Sequence, residues 1–266
     1  MDGFDILQYL SEHALTISLA STRIAIIFFI LPLFTSELVP ALVRNAIFLS
    51  LAIITIIIQP SIELGTLNTS AWILLFVKEA IIGISIGVLF GLFLWAFETA
   101  GQIIDNQIGA SIAQVQDPLT GAQTTLIGSF LARLANYIFV TSGGLLLLNN
   151  IIFESYHIWP IEHQLPDLAE AGISILGSEF YYYFKLALLI ASPMLVVVLI
   201  IDSMMGLVNR YAQQFNVFFL SMSLKMLAAI VMLFFTITSL IHLLISELYD
   251  HSEKIPTILK GLFGGG

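Results

Sequence analysis

The residues of this chain best placed to do chemistry are charges set inside apolar runs: Arg23, Lys78, Arg133, Lys185 and Lys225, with Glu79 directly after Lys78. A charge at the centre of a lone lipid-facing helix costs about 2.5–3.5 kcal/mol on insertion scales. Each therefore needs a carboxylate, backbone carbonyls or water. Lys78 and Lys185 lie near the starts of their segments, where a long side chain reaches the headgroups by snorkelling. Arg23 and Arg133 sit nearer the middle, and for them burial against carboxylates or carbonyls in a protein assembly is expected. Asp202, Gly206, Arg210 and Gln214 recur every four residues, which puts a carboxylate, a gap and a guanidinium on one helical face. Adjacent Asn209, Gln213 and Asn216 complete the densest polar cluster between apolar runs, and Phe215 and Val217 to Leu220 beside it favour a place where helices converge over a solvated loop.

None of these groupings has the make-up of a catalytic centre. The chain has no Cys, and His13, His157, His163, His242 and His251 lack HExxH or HxH spacing. No Ser stands in a GxSxG elbow and there is no phosphate-binding loop. No catalytic, metal or cofactor residue is assigned, and no cofactor is expected. Carboxylates near helix ends can relay protons, yet acidic residues facing each other at mid-span are not visible.

The elements that must hold these charges are apolar helices. Of 266 residues 58% are hydrophobic and 10% charged, against about 25% charged in an ordinary soluble domain. With a mean hydropathy of +0.99, the class is an all-α integral-membrane protein. Nine Lys and Arg against 18 Asp and Glu give a net charge of −9, which excludes nucleic acid as a partner because no basic surface can release its counterions. The start, MDGFDILQYLSEH, has no basic stretch of the kind a secretory signal carries, so it is expected to be retained.

Six segments approach the roughly 20 apolar residues that span a bilayer: Leu15 to Phe34, Leu42 to Ile58, Ala71 to Phe97, Leu126 to Ile152, Phe180 to Ile201 and Val217 to Ile245. The third and last exceed one crossing, which predicts tilt, a break or extension beyond the bilayer. Connectors are read at Gln59-Pro60, Gly65 to Ser70, Gln116 to Gly121, and Glu154 to Glu179. The last of these carries Glu154, Glu162, Asp167, Glu170 and Glu179 without Lys or Arg, which the positive-inside rule puts outside the cytoplasm. Lys254 and Lys260 argue for a cytoplasmic tail, and six simple crossings then place the loop on the tail's side; the two signals oppose each other. No domain-sized linker or fixed-period repeat interrupts residues 1–266, read as a single domain.

Gly83, Gly87 and Gly91 follow Glu79 at intervals of four, a side-chain-free stripe open to close helix packing, within the chain or against another subunit. The stretch Gly101 to Val115 is too polar to cross lipid but aligns Ile104, Ile108, Ile112 and Val115 on one helical face. It is either an external loop or a re-entrant element lining a water-filled passage. Asp117-Pro118 ends any helix there.

The run Gly206 to Lys225, GLVNRYAQQFNVFFLSMSLK, resembles the signature of the FliR/YscT/SpaR (SctT-type) export-apparatus proteins of flagella and virulence type III secretion systems. Glu79 with Gly83 and Gly87, the GQIIDNQIGA stretch, Asp117-Pro118, and Arg23, Pro32, Pro40 and Arg44 extend the resemblance over nearly the whole chain. FLSMSLK and the acidic loop look more like the virulence branch. Relatives commonly carry Pro at the positions of Gln213 and Ser223, so the local helix geometry there departs from the family pattern.

The resemblance implies a non-enzymatic, single-copy core subunit of the export gate in the bacterial inner membrane. It would join FliP-type (SctR) and FliQ-type (SctS) subunits, with an FlhB-type (SctU) protein nearby, around a channel for secreted, unfolded protein substrates. It implies a fold similar to a FliP-like part followed by a FliQ-like part, with broken and re-entrant helices, partly lifted toward the periplasm, while membrane lipid remains a partner. It further implies a plug-like loop over 105–123 that closes the pore, carried onto Gln107, Gly109, Asp117, Pro118 and Gly121. Glu79, Gly83, Gly87 and Gly91 are assigned to helix packing, Arg23, Arg133, Asp202, Arg210 and Lys225 to buried charge and assembly, and Asn209, Gln214 and Asn216 to the family's polar cluster. Composition alone equally permits a self-contained secondary transporter for a small solute.

Overall fold

The computed structural model describes residues 3–33, 40–58, 69–109, 125–161, 170–211 and 217–262. Within them every regular element is a helix: α1 (Gly3–Ile30), α2 (Ala41–Ile58), α3 (Thr69–Ile108), α4 (Leu126–Thr141), α5 (Gly144–Ile158), α6 (Glu170–Tyr211) and α7 (Val217–Leu262). This is the all-α architecture the apolar runs demand. α3, α6 and α7 are each long and apolar enough to cross a membrane, and α4 with α5 forms a bent pair that qualifies only when taken together.

The long runs resolve into extension. α3, α6 and α7 have 40, 42 and 46 residues, or about 60–70 Å at 1.5 Å per residue, twice the hydrocarbon thickness. The fourth apolar run resolves into a break: Gly143 takes φ +84° between α4 and α5, a left-handed conformation that ends one helix and starts the next. Residues 101–108, open between loop and re-entrant element in the sequence, are the last turns of α3. The reason is the isoleucine stripe, since Ile104 and Ile108 are buried and prolong α3's packed face past the point where its other face turns polar.

The described chain divides into two compact units. The first comprises Met1–Gly91, Gly143–Glu179 and Asp250–Gly266. Its core joins Leu19, Ile24, Ile27 and Leu31 of α1 with Ile82, Ile86 and Phe90 of α3, and Leu148 and Ile152 of α5, all buried. Phe28 of α1 stacks on Phe48 of α2 with ring centroids 5.5 Å apart. His251 of α7 is buried with Nε2 3.0 Å from the Leu89 carbonyl of α3.

The second unit comprises Leu92–Ser142 and Phe180–Tyr249. Phe93 and Phe97 of α3, Leu131, Ala135 and Ile138 of α4, and Tyr183, Ala187, Ile190 and Met194 of α6 form its core. The Tyr182 hydroxyl donates to Glu247 at 2.8 Å, tying α6 to α7. Pro193 interrupts α6, leaving the Leu189 carbonyl without its amide partner. The Ser192 hydroxyl donates to that carbonyl at 2.8 Å.

Candidate functional site

In the first unit, Arg23 of α1 meets Glu79 of α3 in a two-pronged contact, Nε to Oε2 at 2.7 Å and Nη2 to Oε1 at 3.1 Å, with both side chains fully buried. Lys78 completes a triad, its Nζ 3.0 Å from Glu79 Oε1. Two cations on one carboxylate leave a net positive charge, and the C-terminal end of α5 supplies the balance. The Trp159 carbonyl accepts from Arg23 at 3.0 Å, and those of Pro160 and Ile161 accept from Lys78 at 3.0 and 2.7 Å. These oxygens lie just past the end of α5 at Ile158, where the helix dipole is negative. The Ser155 hydroxyl accepts from Arg23 Nη1 at 2.9 Å, and the guanidinium lies over the Tyr156 ring at 3.9 Å.

Burial of Arg23 against a carboxylate and carbonyls is as the sequence predicts, here within the chain. Lys78 corrects the expectation of snorkelling: it is 0% exposed. Position near a segment start says nothing of the residues 159–161 that fold over it. Lys185 is exposed, and so is Arg133 in the chain by itself, so the burial expected of Arg133 is one that only an assembly can provide.

The glycine stripe explains how Arg23 reaches Glu79. A β carbon on Gly83 would stand 2.9 Å from the Arg23 carbonyl oxygen and 3.2 Å from Ile26 Cβ, and one on Gly87 would stand 3.1 Å from Ile30. α1 therefore lies directly on the stripe, one turn beyond Glu79, an intramolecular packing in which Gly91 is also buried. Each bare glycine removes the thickness of a side chain and brings the charged groups into contact.

In the second unit, the end of α3 gathers a different set. Asp105 is buried, and its Oδ2 accepts from the amides of Ile127 and Gly128 at 2.9 Å each, capping α4 from outside its own sequence. Gly101 and Gly128 permit this: a β carbon on Gly101 would stand 2.6 Å from the Gly128 nitrogen. Beyond it, the Gln107 carbonyl accepts from Lys225 of α7 at 3.2 Å, and Gly109 ends the helix at φ +83°. Lys225 also pairs with Asp202 of α6 at 3.0 Å, and Ser221 donates to the same Asp202 oxygen at 3.3 Å. The partner of Asp202 is thus on α7, whereas Gly206, Asn209 and Arg210 are exposed in the last turns of α6. α7 runs unbroken through Ser223, whose hydroxyl donates to the Phe219 carbonyl at 3.3 Å. Asp117, Pro118, Gly121, Gln213, Gln214 and Asn216 lie outside the described residues.

Sequence reasoning missed Ser155, Tyr156, Trp159 and the capping role of Asp105. The one available signal was Asp105 itself, an acid amid the amides and isoleucines of the GQIIDNQIGA stretch. Among the described residues no three His, Asp or Glu side chains gather to hold a metal ion.

Residues 14–250 match the family described as bacterial export proteins, family 1. The chain belongs to this family of FliR/YscT/SpaR export proteins. It is 32% identical over 224 residues to Yop proteins translocation protein T of Yersinia pestis, covering 83% of this chain and 85% of that one. It is 30% identical over 259 residues to secretion system apparatus protein SsaT of Salmonella typhimurium, 96% and 98% of the two chains. It is also 32% identical over 215 residues to flagellar biosynthetic protein FliR of Bacillus subtilis, 79% and 82%. Overall identity does not divide the two branches. The part of this export protein that matches the family holds both the Arg23–Glu79–Lys78 triad and the α3 end with Asp202 and Lys225.

Proposed function

We propose that this chain is a structural, non-enzymatic subunit of the type III export gate in the bacterial inner membrane. In this reading one copy assembles with FliP-type and FliQ-type subunits, next to an FlhB-type protein, and helps form and close the channel through which unfolded protein substrates leave. The observation that carries the reading is the family match across residues 14–250. The surface supports it. Of the most apolar 18-residue windows of α6 and α7, only 33% and 17% is buried, and Phe219, Leu227, Phe234 and Phe235 are among the side chains left exposed. An apolar area of this extent needs lipid or neighbouring subunits.

The plug is assigned to the residues from Gln107 to Gly121, which include Gly109, Asp117 and Pro118. Between Ala110 and Gly121 the sequence offers Gly, Ala, Ser, Thr and Gln with Asp117 as its one charge, a composition able to seal and still yield. Partial lifting toward the periplasm belongs to the same reading, and helices of about 60–70 Å favour it because they exceed the bilayer. The test is expression with and without partners. The chain should be degraded when FliP-type and FliQ-type subunits are withheld, and accumulate when they are supplied. A chain that is stable alone and moves a small solute in liposomes would establish the transporter instead.

A further inference from the structure

One face of α4 in the second unit carries large side chains that the described chain leaves open. Leu126, Phe130, Arg133, Tyr137 and Val140 are exposed, at successive intervals of four, three, four and three residues, the spacing of the seam that one helix offers another. The opposite face, with Ile127, Leu131, Ala135, Ile138 and Phe139, is buried and holds the helix in place. Arg133 stands at the middle of the open face, about 10 Å along the axis from both Leu126 and Val140. α4 contains no Asp or Glu, so one turn away on the same face the guanidinium meets Phe130 and Tyr137 rather than a carboxylate. Among the described residues no hydrogen bond or ion pair reaches it either.

We propose that this face of α4 is a docking seam for an apolar helix of a neighbouring export-gate subunit, one that carries a carboxylate opposite Arg133. The proposal rests on the reading of the chain as one subunit of a gate. Charge complementarity selects the occupant. A guanidinium flanked by Phe130 and Tyr137 is costly against lipid chains, and its planar fork of donors matches a carboxylate. The chain already uses that pairing once, Arg23 of α1 against Glu79 of α3. The make-up of the face points the same way. Phe, Tyr and Arg without Lys, Asp or Glu is what the covered centre of a protein interface contains, and Tyr and Arg are frequent anchors there. A headgroup phosphate is the poorer occupant, because Arg133 lies at the centre of the face. Placed at the headgroups, it would leave either Leu126 and Phe130 or Tyr137 and Val140 on the watery side.

The test uses the tagged full chain expressed with its partner subunits and reads the yield of the co-purified particle. Arg133→Met should weaken assembly at least about tenfold, because it strands a carboxylate in the interface; on a lipid-facing surface the same change would be neutral. Arg133→Lys should retain part of the yield. A photo-crosslinking residue in place of Tyr137 should join this chain to one partner subunit, and exchanging that subunit's nearest carboxylate for Arg should restore the yield of Arg133→Glu. Unchanged yield with both Arg133→Met and Arg133→Glu refutes the seam and leaves the gate reading standing, as does a cross-link from position 137 to lipid alone. If Arg133→Met is not recovered as a chain, the cross-linked partner decides: converting its carboxylate to the amide must lower the yield, and an unchanged yield overturns the seam. A parent chain that brings down no partner refutes the gate, and the seam with it.

Discussion

Arg23 and Glu79, 56 positions apart, lock α1 to α3 through two hydrogen bonds of 2.7 and 3.1 Å with neither side chain open to solvent. The contact exists because Gly83 and Gly87 let α1 descend onto α3. Its value is conditional. The pair as a whole is a weak source of stability against an apolar replacement, but removing one partner strands the other.

Glu79→Gln therefore leaves Arg23 and Lys78 facing each other without a carboxylate. The expected loss is about 3–5 kcal/mol, read as a sharp fall in the thermal stability of the purified particle. Arg23→Lys should retain part of it, because a lysine cannot make the two-pronged contact. Equal stability of parent and Glu79→Gln would show the triad to be incidental.

Gly83→Ala places a methyl 2.9 Å from the Arg23 carbonyl, which is backbone and cannot swing aside. Separation of α1 from α3 should cost about 1–3 kcal/mol. Gly177→Ala, where nothing lies within 4 Å, is the matched control and should be neutral. Midpoint temperatures of the two variants check the pair.

Asp105→Ala removes the acceptor of the Ile127 and Gly128 amides. The loss should be about 1–2 kcal/mol, as for a helix cap, and Asp105→Asn should recover most of it by keeping an oxygen in place. Hydrogen exchange at the first turn of α4 distinguishes the two, with faster exchange in Asp105→Ala alone.

Ser192→Ala strips the Leu189 carbonyl of the hydroxyl donor that stands in for the amide missing at Pro193. With that exposed face of α6 covered by lipid or a neighbouring subunit no water replaces it, so a loss of about 1–3 kcal/mol is expected. The double variant Ser192→Ala with Pro193→Ala restores an amide donor and should recover that loss.

Much of the architecture is legible in residue order, and the limits have physical causes. Apolar runs of spanning length mark the helices because burial or lipid must cover them. The Ile104 and Ile108 stripe carries the information that α3 continues, although the amides on its opposite face read equally as loop. Gly143 lies inside an apolar run, so its left-handed break left no trace in composition. The charged residues were visible and their partners were not. Arg23 stood out as needing a counter-charge, but nothing local names Glu79, and the carbonyls of Trp159 to Ile161 belong to backbone that no side-chain pattern reports. Asp202 and Arg210 share a helical face by spacing, yet Asp202 turns to Lys225 because α7 returns alongside α6.

As the proposed stave of a multi-subunit conduit, this chain should bring its neighbours down through a tag on it, and native mass measurement of the purified particle reads their number. One discrete mass is expected, containing a single copy of this chain with several FliP-type and FliQ-type subunits. A lipid-solubilised monomer, or a particle made of this chain alone, would contradict it.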